Sequence, residues 1–284
     1  DKAKTFIAQS DDANLKAKLQ HRYAVAFYVK GEYYLSLSHF LEAEKLFREA
    51  ENWEGIGKCL NGLGLIQQGI DRHNEAIEYF KQAIDYYNLA EDEYAAAPAI
   101  INLGVSELQS GELESAKVTL DSALTLAVAS KRKDIEHLTL NHLGNLAYEK
   151  DQIKTAQNYY QSVLNDTVAP NNWEKAFSYY GLARTNLALN NLDTAEEFGL
   201  KALGFGKTNA SFFELERITG VLFDIYEAQG ELEKAVLFSK ENKAFRDSLY
   251  DQKRIRAINL LNLEQKEADN RRLRSEKMEK DKEL

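Results

Sequence analysis

Residues 60–84 read LNGLGLIQQGIDRHNEAIEYFKQAI. Gly64 is followed by Ala76, Phe80 and Ala83. The same series returns along the chain at the same offsets. Ala24 leads Ser36, Phe40 and Ala43; Gly104 leads Ala116, Leu120 and Ala123; Gly144 leads Ala156, Tyr160 and Val163. Ala183 leads Ala195, Gly199 and Ala202, and the weakest copy is Phe223 with Ala235, Ser239 and Asn242. The anchors Ala24, Gly64, Gly104, Gly144, Ala183 and Phe223 recur at one interval, shortened once, by a single position, between Gly144 and Ala183. Two helical turns after the anchors stand Gly31, Asp71, Gly111, Asp151, Asn190 and Gly230, types that end a helix or make a tight turn. Each unit therefore reads as helix, short turn, helix.

The spacing has a packing consequence. The small anchor and the small residue that opens the second helix, such as Gly64 and Ala76, lie on facing surfaces of the two helices and let the backbones approach. The last two members of each series, such as Phe80 and Ala83, share one face of the second helix. One such hairpin cannot bury its apolar stripe, whereas stacked neighbours form a continuous core. Composition agrees with a helical chain: Pro is 2 and Gly 15 of 284 residues.

The small–aromatic–small signature resembles the tetratricopeptide repeat, in a long form of about 40 residues. LNGLGLIQQG (60–69), INLGVSELQSG (101–111) and LNHLGNLAYEKD (140–151) look like its first helix; EAIEYFKQAI (75–84), SAKVTLDSAL (115–124) and TAQNYYQSVL (155–164) look like its second. The resemblance covers roughly residues 3–245 and departs at Phe223, where a small residue is usual. It implies an all-α, right-handed superhelical solenoid of antiparallel helix pairs. About six units span 13–248. Ala3 stands as far before Ala24 as Ala43, Ala83 and Ala123 stand before their next anchors, so 1–12 reads as the remnant of a truncated repeat.

Beyond the repeats, 249–284 reads as a C-terminal extended helix with two open roles. Ile255, Ile258, Leu260, Leu261 and Leu263 form an apolar stripe that suits a cap. The stretch 264–284 is mostly charged, with both signs mixed, as at the start of a coiled coil that could join two copies into a homodimer. The stretch 240–274 also resembles the segment that ends repeat domains of Bacteroidetes two-component sensor kinases and regulators. That resemblance implies a sensory portion on the periplasmic side of a membrane protein, tethered only through segments outside this chain. The alternative is a cytoplasmic scaffold or peptide-receptor regulator.

A net charge of −9 argues against a nucleic-acid binder. The chain has no phosphate-binding loop and no His-Glu-x-x-His. His137 and His142 are five apart, off one helical face. Cys59 is the single cysteine and reads as a buried small hydrophobe. The expectation is a non-catalytic module without cofactor or metal that binds protein or peptide. In the family the first helices line the concave face. That places Asn102, Asn141, Asn145, Tyr148, Tyr180 and Arg184 as ligand-binding candidates, with His142, Glu149, Phe177 and Arg217 on the same wall. An amide both donates and accepts, so the three asparagines suit the backbone of an extended peptide.

Overall fold

The computed structural model describes residues 12–208 and 212–252. These form helices only, with no strand among the described residues. The helices are α1 (Ala13–Val29), α2 (Tyr33–Glu49), α3 (Trp53–Gln68), α4 (His73–Leu89), α5 (Glu93–Ser110) and α6 (Leu113–Ala129). They continue as α7 (Lys133–Glu149), α8 (Ile153–Leu164), α9 (Asn172–Ala188), α10 (Leu192–Gly206), α11 (Phe212–Gln229) and α12 (232–252). Consecutive helices pack as antiparallel hairpins, and the whole is an all-α helical repeat superhelix. Of 1–12 only Asp12 is described; it caps α1 by accepting from the Leu15 amide at 3.1 Å. Residues 253–284, with the apolar stripe and the charged run, lie outside the described residues, as does any dimer built on them.

The turns are cut to one pattern. Gly31, Asp71, Gly111, Asp151, Asn190 and Gly230 all have positive φ, between 57° and 88°, and each ends the first helix of a pair. The residue after each donates its amide to the carbonyl five back, as Glu32 does to Phe27 (2.9 Å) and Glu112 to Glu107 (2.8 Å). This is the left-handed helix stop that satisfies two orphan carbonyls. Glu51, Glu91 and Lys131 do the same at the end of a second helix, with φ of 51°, 55° and 54°. Each of the first three repeat units is thus two similar helix-and-stop steps. The sequence signals only the stops within pairs, because Glu and Lys carry no turn preference. After the stop, Asn52, Asp92 and Asn171 cap α3, α5 and α9 through their side-chain oxygens, and Glu174 completes a capping box with Asn171.

Ala76, Ala116, Ala156 and Ala195 are fully buried, and Ser36, at the same place in the first pair, donates to the Ala24 carbonyl at 2.8 Å. The anchor glycines show a further reason for being small. A Cβ on Gly64 would stand 2.5 Å from the Phe80 ring, and one on Gly144 would stand 2.5 Å from the Tyr160 ring. The anchor faces the bulky side chain of the second helix as much as the alanine that opens it. Gly62 and Gly181 close the other side of the Phe40 and Tyr160 rings from the following pair. Each of these rings is therefore clamped between two pairs, and burying one contributes about 1.5–3 kcal/mol.

The connection after α8 departs from the pattern. α8 stops early, and the residues after it, through Asn171, form an irregular loop held by charge. Asp166 Oδ2 lies 2.9 Å from Lys133 Nζ and 3.3 Å from His137 Nε2, while Glu174 Oε2 lies 3.2 Å from His137 Nδ1. Lys133 first, then the Val168 amide, hold the Asp166 carboxyl below its ordinary range. This loop accounts for the one shortened interval, between Gly144 and Ala183.

Candidate binding groove

The first helices α1, α3, α5, α7 and α9 each run close to the next first helix, whereas the second helices stand farther apart and reach one another through long side chains, as Arg48 of α2 reaches Tyr86 of α4 and Lys234 of α12 reaches Glu196 of α10. In a curved stack the inner side has the shorter path, so the first helices form the concave wall. The periodicity alone gives a shared face; the inter-pair contacts give the inside.

On this wall a cavity of about 620 Å³ opens between α5, α7, α9 and α11. Val105, Leu108 and Gln109 supply one side, and His142, Asn145 and Glu149 the next. Trp173 and Phe177 of α9, then Phe213, Glu214 and Arg217 of α11, complete it. The volume lies within the usual range of small-ligand and peptide-side-chain sites. Trp173 stacks at a tilt on Phe177, with ring centroids 5.2 Å apart, and its Nε1 donates to Glu214 Oε1 at 3.0 Å. His142 meets Phe177 edge to face at 5.3 Å. Burial first, and the charge of Arg217 second, push the His142 pKa down to about 4, so its ring is neutral near pH 7. A smaller cavity of about 290 Å³ lies at the other end of the wall, with His21, Tyr28, Lys58 and Asn61 among its lining.

Two arginines border the large cavity. Arg184 lies over the Tyr148 ring at 3.8 Å and near Tyr180 at 5.4 Å, and its Nη2 meets Glu149 Oε1 at 3.1 Å. Arg217 lies 4.7 Å from the Tyr180 ring, 5.4 Å from Phe213 and 5.8 Å from Phe177. Its Nε donates to the Tyr180 hydroxyl at 3.4 Å. Such cation–aromatic contacts orient a guanidinium without neutralising it.

Of the six candidates read from sequence, Tyr148, Tyr180 and Arg184 come together beside the cavity. The asparagines are differently placed. Asn141 is fully buried; its Oδ1 accepts from Ser178 Oγ at 2.7 Å and its Nδ2 donates to the Glu174 carbonyl at 3.3 Å. It braces α7 against α9 and is not offered to a ligand. Asn145 lines the cavity, but its Oδ1 accepts from the Tyr160 hydroxyl at 2.8 Å. Half-buried Asn102 donates to Asn61 Oδ1 at 3.0 Å, away from the other five. These amides brace neighbouring helices before they can meet a partner. Trp173 and Phe213 are not among the candidates read from sequence. They stand near the starts of their helices, outside the positions the repeat pattern assigns to the groove, and only the irregular loop before α9 signals a changed helix start.

Residues 15–88 match the family model described as tetratricopeptide repeat. No curated protein sequence matches this chain. Among solved structures, the fold is similar to the apo form of RapI, with a TM-score of 0.71 at 18% identity over 88% of this chain and 89% of that one. It is also similar to a Rap protein complexed with Competence and Sporulation Factor, with a TM-score of 0.60 at 15% identity over 84% and 77%. The Rap conjugation gene regulator of the plasmid pLS20, solved in complex with the Phr* peptide, gives 0.60 at 14% identity over 84% and 76%. The model match, the clamped small–large packing and the repetition of one hairpin agree: residues 15–88 carry tetratricopeptide repeats, and the same helix pair recurs along the rest of the described chain.

Proposed function

We propose that the chain is a peptide-responsive regulatory module whose concave wall holds a short peptide segment in the large cavity. The observation that carries this reading is the cavity itself. First helices, the turn after α5 and Leu113 at the start of α6 build it, its walls are largely aromatic and aliphatic, and a few polar groups converge on it. Two of the similar solved structures are complexes with Competence and Sporulation Factor and with the Phr* peptide, which supports a peptide as the occupant. A pool of random hexapeptides carrying a photo-crosslinker tests it. Labelling should fall on α7, α9 and α11; labelling confined to the second helices would move the site to the convex side.

The stretch 240–274 favours a second, compatible reading, in which the module is the sensory part of a two-component protein on the periplasmic side of a membrane. No described helix is long and apolar enough to cross a membrane, so tethering in that reading falls to other segments. Alkaline phosphatase fused after residue 284 in cells tests it: high activity supports the periplasm, and none supports a cytoplasmic regulator.

A further inference from the structure

We infer that Arg217 is the seat for a single carboxylate on the bound peptide, with an apolar side chain of that peptide lying between Trp173, Phe177 and Phe213. The inference rests on the peptide reading above and adds what kind of peptide.

The two arginines at the cavity differ in what they have left to offer. Arg184 is committed: it is paired with Glu149 and stacked on Tyr148. Arg217 is not. Three rings surround its guanidinium, only its Nε has a hydrogen bond, and no carboxylate lies within ion-pair distance of it among the described residues. A guanidinium has five N–H donors in a planar fork. Fixed by Tyr180, this fork keeps its two terminal nitrogens for a planar acceptor, which a carboxylate matches in two parallel bonds. The neutral His142 ring adds no competing charge to this wall.

Glu214 sets the limit on the anion. It lines the same cavity one helical turn from Arg217, its Oε1 accepts from Trp173, and its Oε2 is buried without a hydrogen-bond partner. A doubly charged phosphate would meet this carboxylate as a like charge. A monoanion would not carry that second charge, and an N–H next to the ligand carboxylate could satisfy Oε2. An acid with a neighbouring N–H and an apolar side chain is the end of a peptide, or an Asp or Glu within one.

The test uses the full chain with Trp53→Phe, which leaves Trp173 as the sole tryptophan fluorophore. One probe is an N-acetylated random hexapeptide pool with free carboxyl ends. The other is its C-terminally amidated twin made without Asp and Glu. The acid pool should be retained at least about tenfold better and should shift Trp173 emission, and Arg217→Gln should erase the preference. Arg217→Lys should restore only part of it, because an ammonium keeps the charge and loses the fork. Equal retention of both pools, or a preference that survives Arg217→Gln, overturns the carboxylate seat and leaves the groove reading standing. Displacement of the acid pool by inorganic phosphate at lower concentration than by acetate also overturns it, in favour of a phosphate seat. If neither pool is retained and Trp173 emission stays unmoved, the groove reading falls with it. The pool comparison on the Trp53→Phe chain needs no Arg217 variant, so a failure of Arg217→Gln to fold does not shield the proposal.

Discussion

The Tyr160 hydroxyl donates to Asn145 Oδ1 at 2.8 Å, with both residues buried. The same ring packs on Gly144 and on Gly181, one from its own pair and one from the next. Tyr160 therefore links the core of one repeat, the following repeat and the floor of the groove. Asn145→Ala would leave the buried hydroxyl without its partner, and should cost about 1–3 kcal/mol in urea unfolding. Tyr160→Phe keeps the ring and frees the amide toward the cavity. It should cost less than Asn145→Ala. Equal losses would mean that the bond does not carry the difference.

Asn141 should behave as a brace. Removing its side chain takes the acceptor from Ser178 Oγ and a second donor from the Glu174 carbonyl, between α7 and α9. Asn141→Ala should lower stability by about 1–3 kcal/mol. Asn102→Ala, which loses one half-buried bond to Asn61, should cost about 1 kcal/mol or less. Melting curves of the two variants side by side check the order.

Acid should weaken the fold before the carboxylates titrate. The His142 pKa is about 4 when folded against 6.5 for the free group. Between these values the unfolded chain binds more protons than the folded one, so stability rises with pH there and is full above about 6.5. His21, also lowered by burial and by Lys58, acts with the same sign. Asp166, held low by Lys133, loses its contribution at lower pH, as the solution falls through the depressed carboxyl value. Urea unfolding of wild type should show a clear loss from about pH 7 to about pH 4.5, and His142→Gln should show a smaller one. An identical slope in both would remove His142 from the explanation.

The left-handed turns make opposite demands on two positions. Gly111 has φ of 88°, and a Cβ there would meet nothing within 4 Å, so Gly111→Ala costs only backbone strain, about 1–2 kcal/mol. Lys131 already carries that strain at φ 54°. Lys131→Gly relieves it but gives the unfolded chain more freedom, so the two effects should nearly cancel, within about 0.5 kcal/mol. A large loss on Lys131→Gly would show that its side chain, rather than its backbone, matters at the turn.

How much the sequence disclosed differs by level. The repeat period, the six turns from Gly31 to Gly230 and the buried alanines from Ala76 to Ala195 follow from residue type and spacing, because small residues, helix stops and apolar stripes each act through local geometry. The turns at Glu51, Glu91 and Lys131 did not, because their residues adopt the left-handed conformation under the constraint of stacked helices and not by preference. The first helices could be read as sharing a face; their contacts with one another made that face the inside. At the groove the same amide could serve a ligand or the fold. Only the neighbours decided: Ser178 and Glu174 claim Asn141, Tyr160 claims one end of Asn145, and Arg217 keeps its terminal nitrogens because no carboxylate reaches it among the described residues. The partners of Asn141 come from the next pair of helices, far along the chain, and a pairing across that distance is fixed by how the pairs stack.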